Sequence, residues 1–202
     1  MKKSLPARWM ITDSKTIDPI AAAKNLPKDS GIILRDYDLG FEKRFTLGIE
    51  LKKISQQKKI PLLIAGDAKL ALKLNADGVH FPEFARAQIR RWKNKKPEWI
   101  ITASTHSRQA VKFAYENGAD AVLVSPIFST ASDLSKKPLG IFRARNYINN
   151  YIYKRIFAYA LGGVQPHHEK ALRMADFCGF AGISWVKNCG CPATVAQPRA
   201  KK

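Results

Sequence analysis

Cysteine is scarce in this sequence, and the few cysteines present define no structural framework. The chain has 202 residues and 3 cysteines, which lie near its end at Cys178, Cys189 and Cys191. They are too few and too clustered for a disulfide scaffold, and Cys189-Gly-Cys191 lacks the second ligand pair of a zinc site. We therefore predict reduced thiols and assign no residue as a metal ligand.

Long apolar runs and the pattern of a signal peptide are missing as well. No apolar stretch reaches the length that a membrane-spanning helix needs. Lys2 and Lys3 are followed by Ser-Leu-Pro-Ala-Arg rather than by the apolar region of a signal peptide. We expect a cytoplasmic protein with no membrane partner.

Acidic residues are outnumbered by basic ones, with 16 Asp and Glu against 35 Lys and Arg and a formal net charge of +19. Three explanations are open: nucleic-acid binding, an anionic phosphorylated ligand, or a generally basic surface. The charges are spread along the predicted solvent faces of helices, and no RNA-binding or helix-turn-helix signature accompanies them. The sequence therefore does not predict specific nucleic-acid binding.

Short apolar runs alternate with helical patterns along most of the chain. The runs are WMIT (9–12), GIIL (31–34), PLLIA (61–65), GVHF (78–81), a run that begins at Trp99, AVLV (121–124), IFAYAL (156–161) and GISWV (182–186). Eight such runs separated by helices indicate parallel βαβ units, which close into a small (β/α)8 TIM barrel of the α/β class. An open doubly wound sheet would normally carry a glycine-rich loop after the first strand, where this chain has Asp13-Ser14-Lys15.

The end of the chain departs from this pattern. Gly190, Pro192 and Pro198 interrupt any helix there, so the last helix of the barrel is expected to be degenerate. We predict a barrel domain over 1–188 and a polar, basic C-terminal tail over 189–202.

Polar residues that directly follow the predicted strands mark the candidate site, because the carboxyl ends of barrel strands form the ligand-binding face. Ser104 and His106 follow the fifth strand, and the loop Ser125–Gly140 follows the sixth. A histidine suits proton transfer because its ordinary pKa lies near neutral pH. His80 lies within or just beyond an apolar strand and is expected to be structural.

Several short motifs together carry a family resemblance that covers the chain from Trp9 to Val186. They are Ala76-Asp-Gly-Val-His80, Ser104-Thr-His106, Gly118-Ala-Asp120, Ser125-Pro-Ile-Phe128, Pro138-Leu-Gly140 and Leu161-Gly-Gly163. In this order and spacing they resemble the thiamine-phosphate synthase and TenI superfamily. The resemblance implies a (β/α)8 barrel that acts in thiamine biosynthesis and binds a thiazole phosphate.

Carried onto this sequence, the resemblance assigns the site residue by residue. His106 and Ser104 are the candidate catalytic residues. Arg35, Thr130 and Ser132 match substrate-binding positions. The phosphate-binding positions correspond to Gly162, Gly163, Val186 and Lys187. Backbone N–H groups on glycine-bearing turns can bind a phosphate dianion, although a paired glycine is also typical of a plain tight turn.

The positions that the synthases use for the pyrophosphate have changed. The synthases carry a glutamine and a lysine in the corner after the second strand, and the matching residues are Ile33 and Tyr37. The lysine of the loop after the sixth strand aligns with Asp133. Ionisation of a pyrophosphate leaving group requires its growing negative charge to be neutralised. These replacements put coupling to an aminopyrimidine diphosphate in doubt.

The magnesium positions have changed too. The Asn-Asp pair expected after the third strand is Ala65-Gly66, and the aspartate expected after the fourth aligns with Ala85. Magnesium on a diphosphate needs hard oxygen ligands. Nearby groups could substitute only in a rearranged site, and they are Asp67, Glu83, Lys136 and Lys137. No cofactor is predicted, except magnesium if synthase activity is retained.

The leading hypothesis is therefore an enzyme of thiamine biosynthesis that binds a small phosphorylated thiazole. It would be either a synthase-like transferase or a thiazole tautomerase in which His106 moves a proton. A barrel that binds a phosphorylated ligand without catalysis is an open alternative. The sequence is compatible with a homodimer and does not decide the oligomeric state.

Overall fold

The computed structural model describes residues 5–130, 137–152 and 156–188. Eight parallel strands alternate with helices and close into a barrel in sequence order, with β1 beside β8. The strands are β1 (Arg8–Ile11), β2 (Ser30–Leu34), β3 (Leu62–Ala65), β4 (Gly78–Phe81), β5 (Ile100–Thr105), β6 (Ala121–Val124), β7 (Phe157–Leu161) and β8 (Gly179–Gly182). The α-helices in the described residues are α1 (Pro19–Lys24), α2 (Phe41–Lys58), α3 (Ala68–Lys73), α4 (Gln88–Lys95), α5 (Arg108–Glu116), α6 (Gly140–Ile152) and α7 (Glu169–Met174).

The barrel is held together by two apolar layers that the strands separate. Inward-facing side chains fill the interior, where Trp9, Ile33 and Tyr159 belong to one buried cluster. Their neighbours Ile32 and Leu34 face outward into the layer beneath the helices. Successive strand residues point to opposite faces, so each strand serves both layers and is apolar almost throughout. This explains why the strands appear in the sequence as continuous apolar runs.

Closure of the barrel depends on small residues in β8. Trp9 of β1 lies opposite Ala181 of β8 in the parallel ladder. At Gly179 an added Cβ would lie 1.7 Å from the carbonyl oxygen of Ala7, so the two backbones could not approach as they do with any larger residue. The first and last strands therefore meet only because this position carries no side chain.

Several helices begin at a polar side chain in the loop that follows a strand. Asp18 accepts the backbone N–H groups of Ile20 and Ala21 at the start of α1. Asp67 accepts the N–H of Leu70 at the start of α3. Such caps satisfy donors that the first helical turn leaves unpaired. The Asp67 carboxylate is therefore committed to its helix.

The predicted barrel and the degenerate last helix are confirmed. After β8 the described chain forms only a short 3-10 helix, Ser184–Asn188. The predicted position of the eighth strand was wrong, because β8 ends at Gly182, where the predicted strand began. The apolar run after it instead closes the barrel: Trp185 packs edge-on against Phe180 and donates its Nε1–H to the carbonyl of Trp9.

The predicted tail, 189–202, lies outside the described residues, so the proposed domain boundary stays a prediction. Within the described ranges, no helix is both long enough and apolar enough to span a bilayer.

Candidate functional site

A cavity of about 860 Å³ opens at the carboxyl ends of the strands. It is lined from several loops at once, because each loop leaves its strand at the same face of the barrel. The lining brings together Arg35, Ser104, His106, Thr130 and Gly163, five residues that the sequence placed after four different strands. Further lining comes from Ile11, Asp13, Thr16, Ile33, Tyr37, His80, Pro82, Ser125, Pro126, Ser129, Leu161, Gly162, Val164, Gln165, Gly182, Ile183 and Ser184.

One side of the cavity is a tight backbone turn after β7. Gly162 and Gly163 have φ angles of 94° and 66°, which favour glycine. A Cβ on Gly163 would lie 2.7 Å from the carbonyl oxygen of Ser129. The Gly162 carbonyl also accepts the N–H of Phe128, so this turn packs directly on the loop after β6. The pair is thus required by both conformation and close approach.

Backbone donors are left free beside this turn. Within the described ranges, no hydrogen-bond acceptor faces the N–H groups of Gly163, Val164 and Ile183. All three residues line the cavity, together with the hydroxyl-bearing Ser184. Backbone N–H groups that lack a protein acceptor at a cavity wall suit an anion. This part of the wall can therefore accept a phosphate.

His106 lies on the part of the wall that follows β5, with each ring nitrogen in a different environment. Nδ1 donates to the carbonyl oxygen of Ser125 at 2.9 Å, since a carbonyl can only accept. Nε2 lies 3.9 Å from a carboxylate oxygen of Glu83, and the same oxygen accepts the His106 backbone N–H at 3.0 Å. The side chain is 41% exposed. The imidazole is therefore held by Nδ1, while Nε2 is available for proton exchange.

Ser104 is held from below by a second histidine. His80 Nε2 lies 2.9 Å from the Ser104 hydroxyl, and His80 Nδ1 lies 2.8 Å from the hydroxyl of Thr102. Burial lowers the pKa of His80 to about 4, so its imidazole is neutral at physiological pH. His80 lies opposite Thr102 in the ladder between β4 and β5, and Ser104 follows two residues later. The three side chains therefore lie on the same face of the sheet, toward the barrel interior.

The wall near β1 and β2 is partly apolar. Ile33 and Tyr37 lie there beside Arg35, whose guanidinium is 3.3 Å from the Asp13 carboxylate. Burial raises the pKa of Tyr37, so its phenol is neutral. Arg44 of α2 lies beneath the Tyr37 ring, 5.4 Å from its centroid. This side offers one exposed cation, already paired, where a diphosphate would need several.

Arg44 does not serve the cavity directly. It is buried and donates to the carbonyl oxygens of Leu34 and Ala65 at 3.1 and 2.5 Å, where β2 and β3 end. Its guanidinium therefore binds the backbone carbonyls of two strand ends rather than a ligand in the cavity.

The positions that the resemblance assigns to magnesium do not fit the ion. Gly66 and Ala85 have no side-chain ligand atoms, Asp67 caps α3, and the Glu83 carboxylate accepts the backbone N–H of His106. Among the residues that the structure describes, no group of three or more His, Cys, Asp or Glu side chains could hold a metal ion. These side chains provide no built magnesium site, and their role toward a metal stays a prediction.

The structure brings some predicted site residues together and separates others. Thr130 lines the cavity, whereas Ser132 lies outside the described residues. Val186 and Lys187 lie in the 3-10 helix after β8 and do not line the cavity, and Val186 is buried. Ile183 and Ser184 take the place after β8 that these residues were expected to hold. The difference follows from the misplaced eighth strand.

Sequence reasoning missed the link between His80 and Ser104. A signal was available in the run Gly78–Phe81, because Val79 and Phe81 face the outer apolar layer. A residue between two outward-facing ones must point into the barrel. The cavity lining at Asp13 and Ile183 had no comparable signal, since it depends on where β1 and β8 end.

The closed barrel and the cavity at the carboxyl ends of its strands define a (β/α)8 TIM-barrel protein with a candidate ligand site. The sequence profile of the thiamine monophosphate synthase family matches residues 10–186. The chain belongs to this family, whose members act in thiamine biosynthesis.

Curated relatives and a solved structure agree with this assignment. "Putative thiamine-phosphate synthase 2" of Aquifex aeolicus is 32% identical over 186 residues, covering 89% of this chain and 97% of the relative. Thiamine-phosphate synthase of Bacillus cereus is 31% identical over 193 residues, covering 92% and 87% of the two chains. The structure of thiamine phosphate pyrophosphorylase from Pyrococcus furiosus superposes with a TM-score of 0.77 at 20% identity, over 90% of this chain and 91% of the other, which supports the fold.

Proposed function

We propose that this protein binds a thiazole phosphate at the barrel mouth and acts on it as a proton-transfer catalyst. One observation carries the proposal. A single cavity holds unpaired backbone donors on one wall and a histidine with an available ring nitrogen on another. The backbone donors suit the phosphate group of the ligand. The histidine is suited to transfer a proton on the ring or carboxylate of that same ligand.

The phosphate is assigned to the turn after β7 and the segment after β8. The N–H groups of Gly163, Val164 and Ile183 would each gain an acceptor that they lack in the described structure. Hydrogen bonds from neutral donors to a charged acceptor are stronger than those between neutral groups. Val186 and Lys187 take no part in this assignment because neither lines the cavity.

The proton transfer is assigned to His106 through Nε2. The bond from Nδ1 to the Ser125 carbonyl fixes the tautomer in which Nε2 carries the lone pair. Nε2 can therefore accept a proton from a carbon or heteroatom of the bound ring and return it at another position. The nearest carboxylate oxygen of Glu83 lies 3.9 Å from Nε2. Proton transfer of this kind is the chemistry that a tautomerisation requires.

Coupling to an aminopyrimidine diphosphate is the second candidate, and the relatives' names favour it. It would need the diphosphate to be neutralised near β2 and β3. The positions that the resemblance assigns to the diphosphate and the metal hold Ile33, Tyr37 and Gly66, whose side chains carry no charge, and the neighbouring Arg35 is already paired with Asp13. We therefore place this reaction second.

The decisive experiment measures binding and chemistry separately. Calorimetry with thiazole phosphate should show binding without added metal, and His106→Ala should leave that affinity nearly unchanged. The same variant should lower the rate of thiazole carboxylate tautomerisation by about a hundredfold to ten-thousandfold, the usual contribution of a positioned acid–base group. Glu116→Ala, on the surface of α5, is a suitable control.

Two results would count against the proposal. Failure of the wild-type protein to bind thiazole phosphate would remove the ligand assignment. Magnesium-dependent formation of thiamine phosphate at an ordinary enzymatic rate would establish the second candidate instead.

A further inference from the structure

We propose that Thr102 and His80 form a hydrogen-bond chain that fixes the Ser104 hydroxyl as a donor toward the ligand. His80 is then a positioning residue that acts through Ser104. The identity of the ligand rests on the proposed function, whereas the direction of the chain rests on the structure alone.

The chain contains two hydroxyls and one neutral imidazole. Thr102 lies at Nδ1 and Ser104 at Nε2, at 2.8 and 2.9 Å. A neutral imidazole has one N–H donor and one nitrogen lone pair. One hydroxyl must therefore donate to His80, and the other must accept from it.

Burial decides which hydroxyl donates. Thr102 is fully buried, and within the described residues His80 is the one partner of its side chain. If Nδ1 donated to Thr102, the threonine O–H would be buried without an acceptor, which is unfavourable. Thr102 therefore donates to Nδ1, and the proton of His80 resides on Nε2.

The consequence appears at the cavity wall. His80 Nε2–H donates to the Ser104 oxygen, so the Ser104 proton is not needed by the protein. Ser104 lines the cavity, and its O–H is left for an acceptor on the ligand, such as a ring nitrogen or a carboxylate oxygen. Hydrogen bonds in one direction polarise each other, so the chain strengthens this donor. The site thus selects a ligand with an acceptor at that position.

The direction of the chain can be measured without any ligand. Nitrogen-15 NMR of the wild-type protein should show His80 Nε2 protonated and Nδ1 unprotonated at pH 7. The His80 signals are identified by their loss in His80→Gln. A protonated Nδ1, or protons on both nitrogens, would overturn the proposal.

Substitutions at Thr102 distinguish the effect of losing the hydrogen-bond chain from the effect of altered packing. Thr102→Val should abolish the tautomer preference and move both nitrogens toward averaged signals, whereas the control Thr102→Ser keeps the hydroxyl and should retain it. Unchanged signals in Thr102→Val would contradict the chain.

The effect on binding is read with thiazole phosphate by calorimetry. Ser104→Ala should weaken binding by about threefold to tenfold, the range expected for loss of one hydrogen bond. Thr102→Val should weaken it in the same direction, and Thr102→Ser should not. Normal affinity in both Ser104→Ala and Thr102→Val would refute the donor role. If the wild-type protein bound no thiazole phosphate, the proposed function would fail, and the NMR result would still decide the direction of the chain.

Discussion

Acid should destabilise this protein through His80, and the size of the effect can be worked from its environment. The side chain is 6% exposed and forms its hydrogen bonds to two neutral hydroxyls. Burial lowers the pKa from 6.5 to about 4 because no carboxylate compensates for the lost water. The unfolded chain therefore takes up a proton at this residue well before the folded protein does.

The sign and the range follow from that difference. A basic group whose pKa is depressed in the folded state lowers the free energy of unfolding as the pH falls below 6.5. This decrease levels off once the pH is below about 4. Over this interval His80 should remove about 3 kcal/mol from the free energy of unfolding. Above pH 7 the residue should have no effect of this kind.

Urea denaturation between pH 4 and pH 7 tests this, with His80→Gln as the comparison. Glutamine cannot titrate, and its amide can still donate toward Ser104. The wild-type free energy of unfolding should fall more steeply than that of the variant, and the two curves should diverge by about 3 kcal/mol at pH 4. Other histidines and carboxylates titrate in both proteins and cancel in the difference. Parallel curves would show that His80 is not held in its neutral form.

Three further predictions concern the turn after β7, the metal and the surface charge. Gly163→Ala should abolish thiazole phosphate binding and destabilise the fold. The control Gly140→Ala, at a φ of 70° with nothing within 4 Å of the added Cβ, should cost only about 1–2 kcal/mol of backbone strain and keep binding. Equal binding by both variants in calorimetry would contradict the phosphate assignment. Magnesium should change the affinity for aminopyrimidine diphosphate little, and a large enhancement in titrations with and without the metal would show that other groups have taken over its coordination. Binding to duplex DNA in a fluorescence titration should be weak and should disappear between low and physiological salt, so sequence-selective binding that survives physiological salt would contradict the small-ligand interpretation.

The barrel was predictable because the same signal, a short apolar run for each strand, is repeated along the chain. Each strand is buried on both faces, so runs such as Gly78–Phe81 and Ala121–Val124 are continuous and apolar, and the structure has both at the predicted positions. The eighth strand broke this rule. Three of its four residues, Gly179, Ala181 and Gly182, are small, and Gly179 leaves no room for a side chain beside Ala7. The more apolar run behind it packs around Trp185 instead.

The general location of the site was predictable for a related reason. A residue that directly follows a strand must lie at the carboxyl face, wherever its strand sits in the barrel. This brought Arg35, His106 and Gly163 to one cavity from three distant parts of the sequence. Contacts that depend on register were not accessible in the same way. The chain from Thr102 through His80 exists only because β4 and β5 pair with these two residues opposite each other.

The two sides of the cavity can change independently because different loops build them. The proposed phosphate side comes from the backbone after β7 and β8, where glycine conformation and free N–H groups do the binding. The other side comes from side chains after β2, where Tyr37 stands over a buried arginine that is already bound to two carbonyls. Replacing a lysine there alters no backbone donor on the phosphate side. A thiazole phosphate should therefore bind with the same affinity whether or not an aminopyrimidine diphosphate is present. A strong coupling between the two ligands would mean that the diphosphate still finds its site, since only a bound ligand can shift the affinity for another.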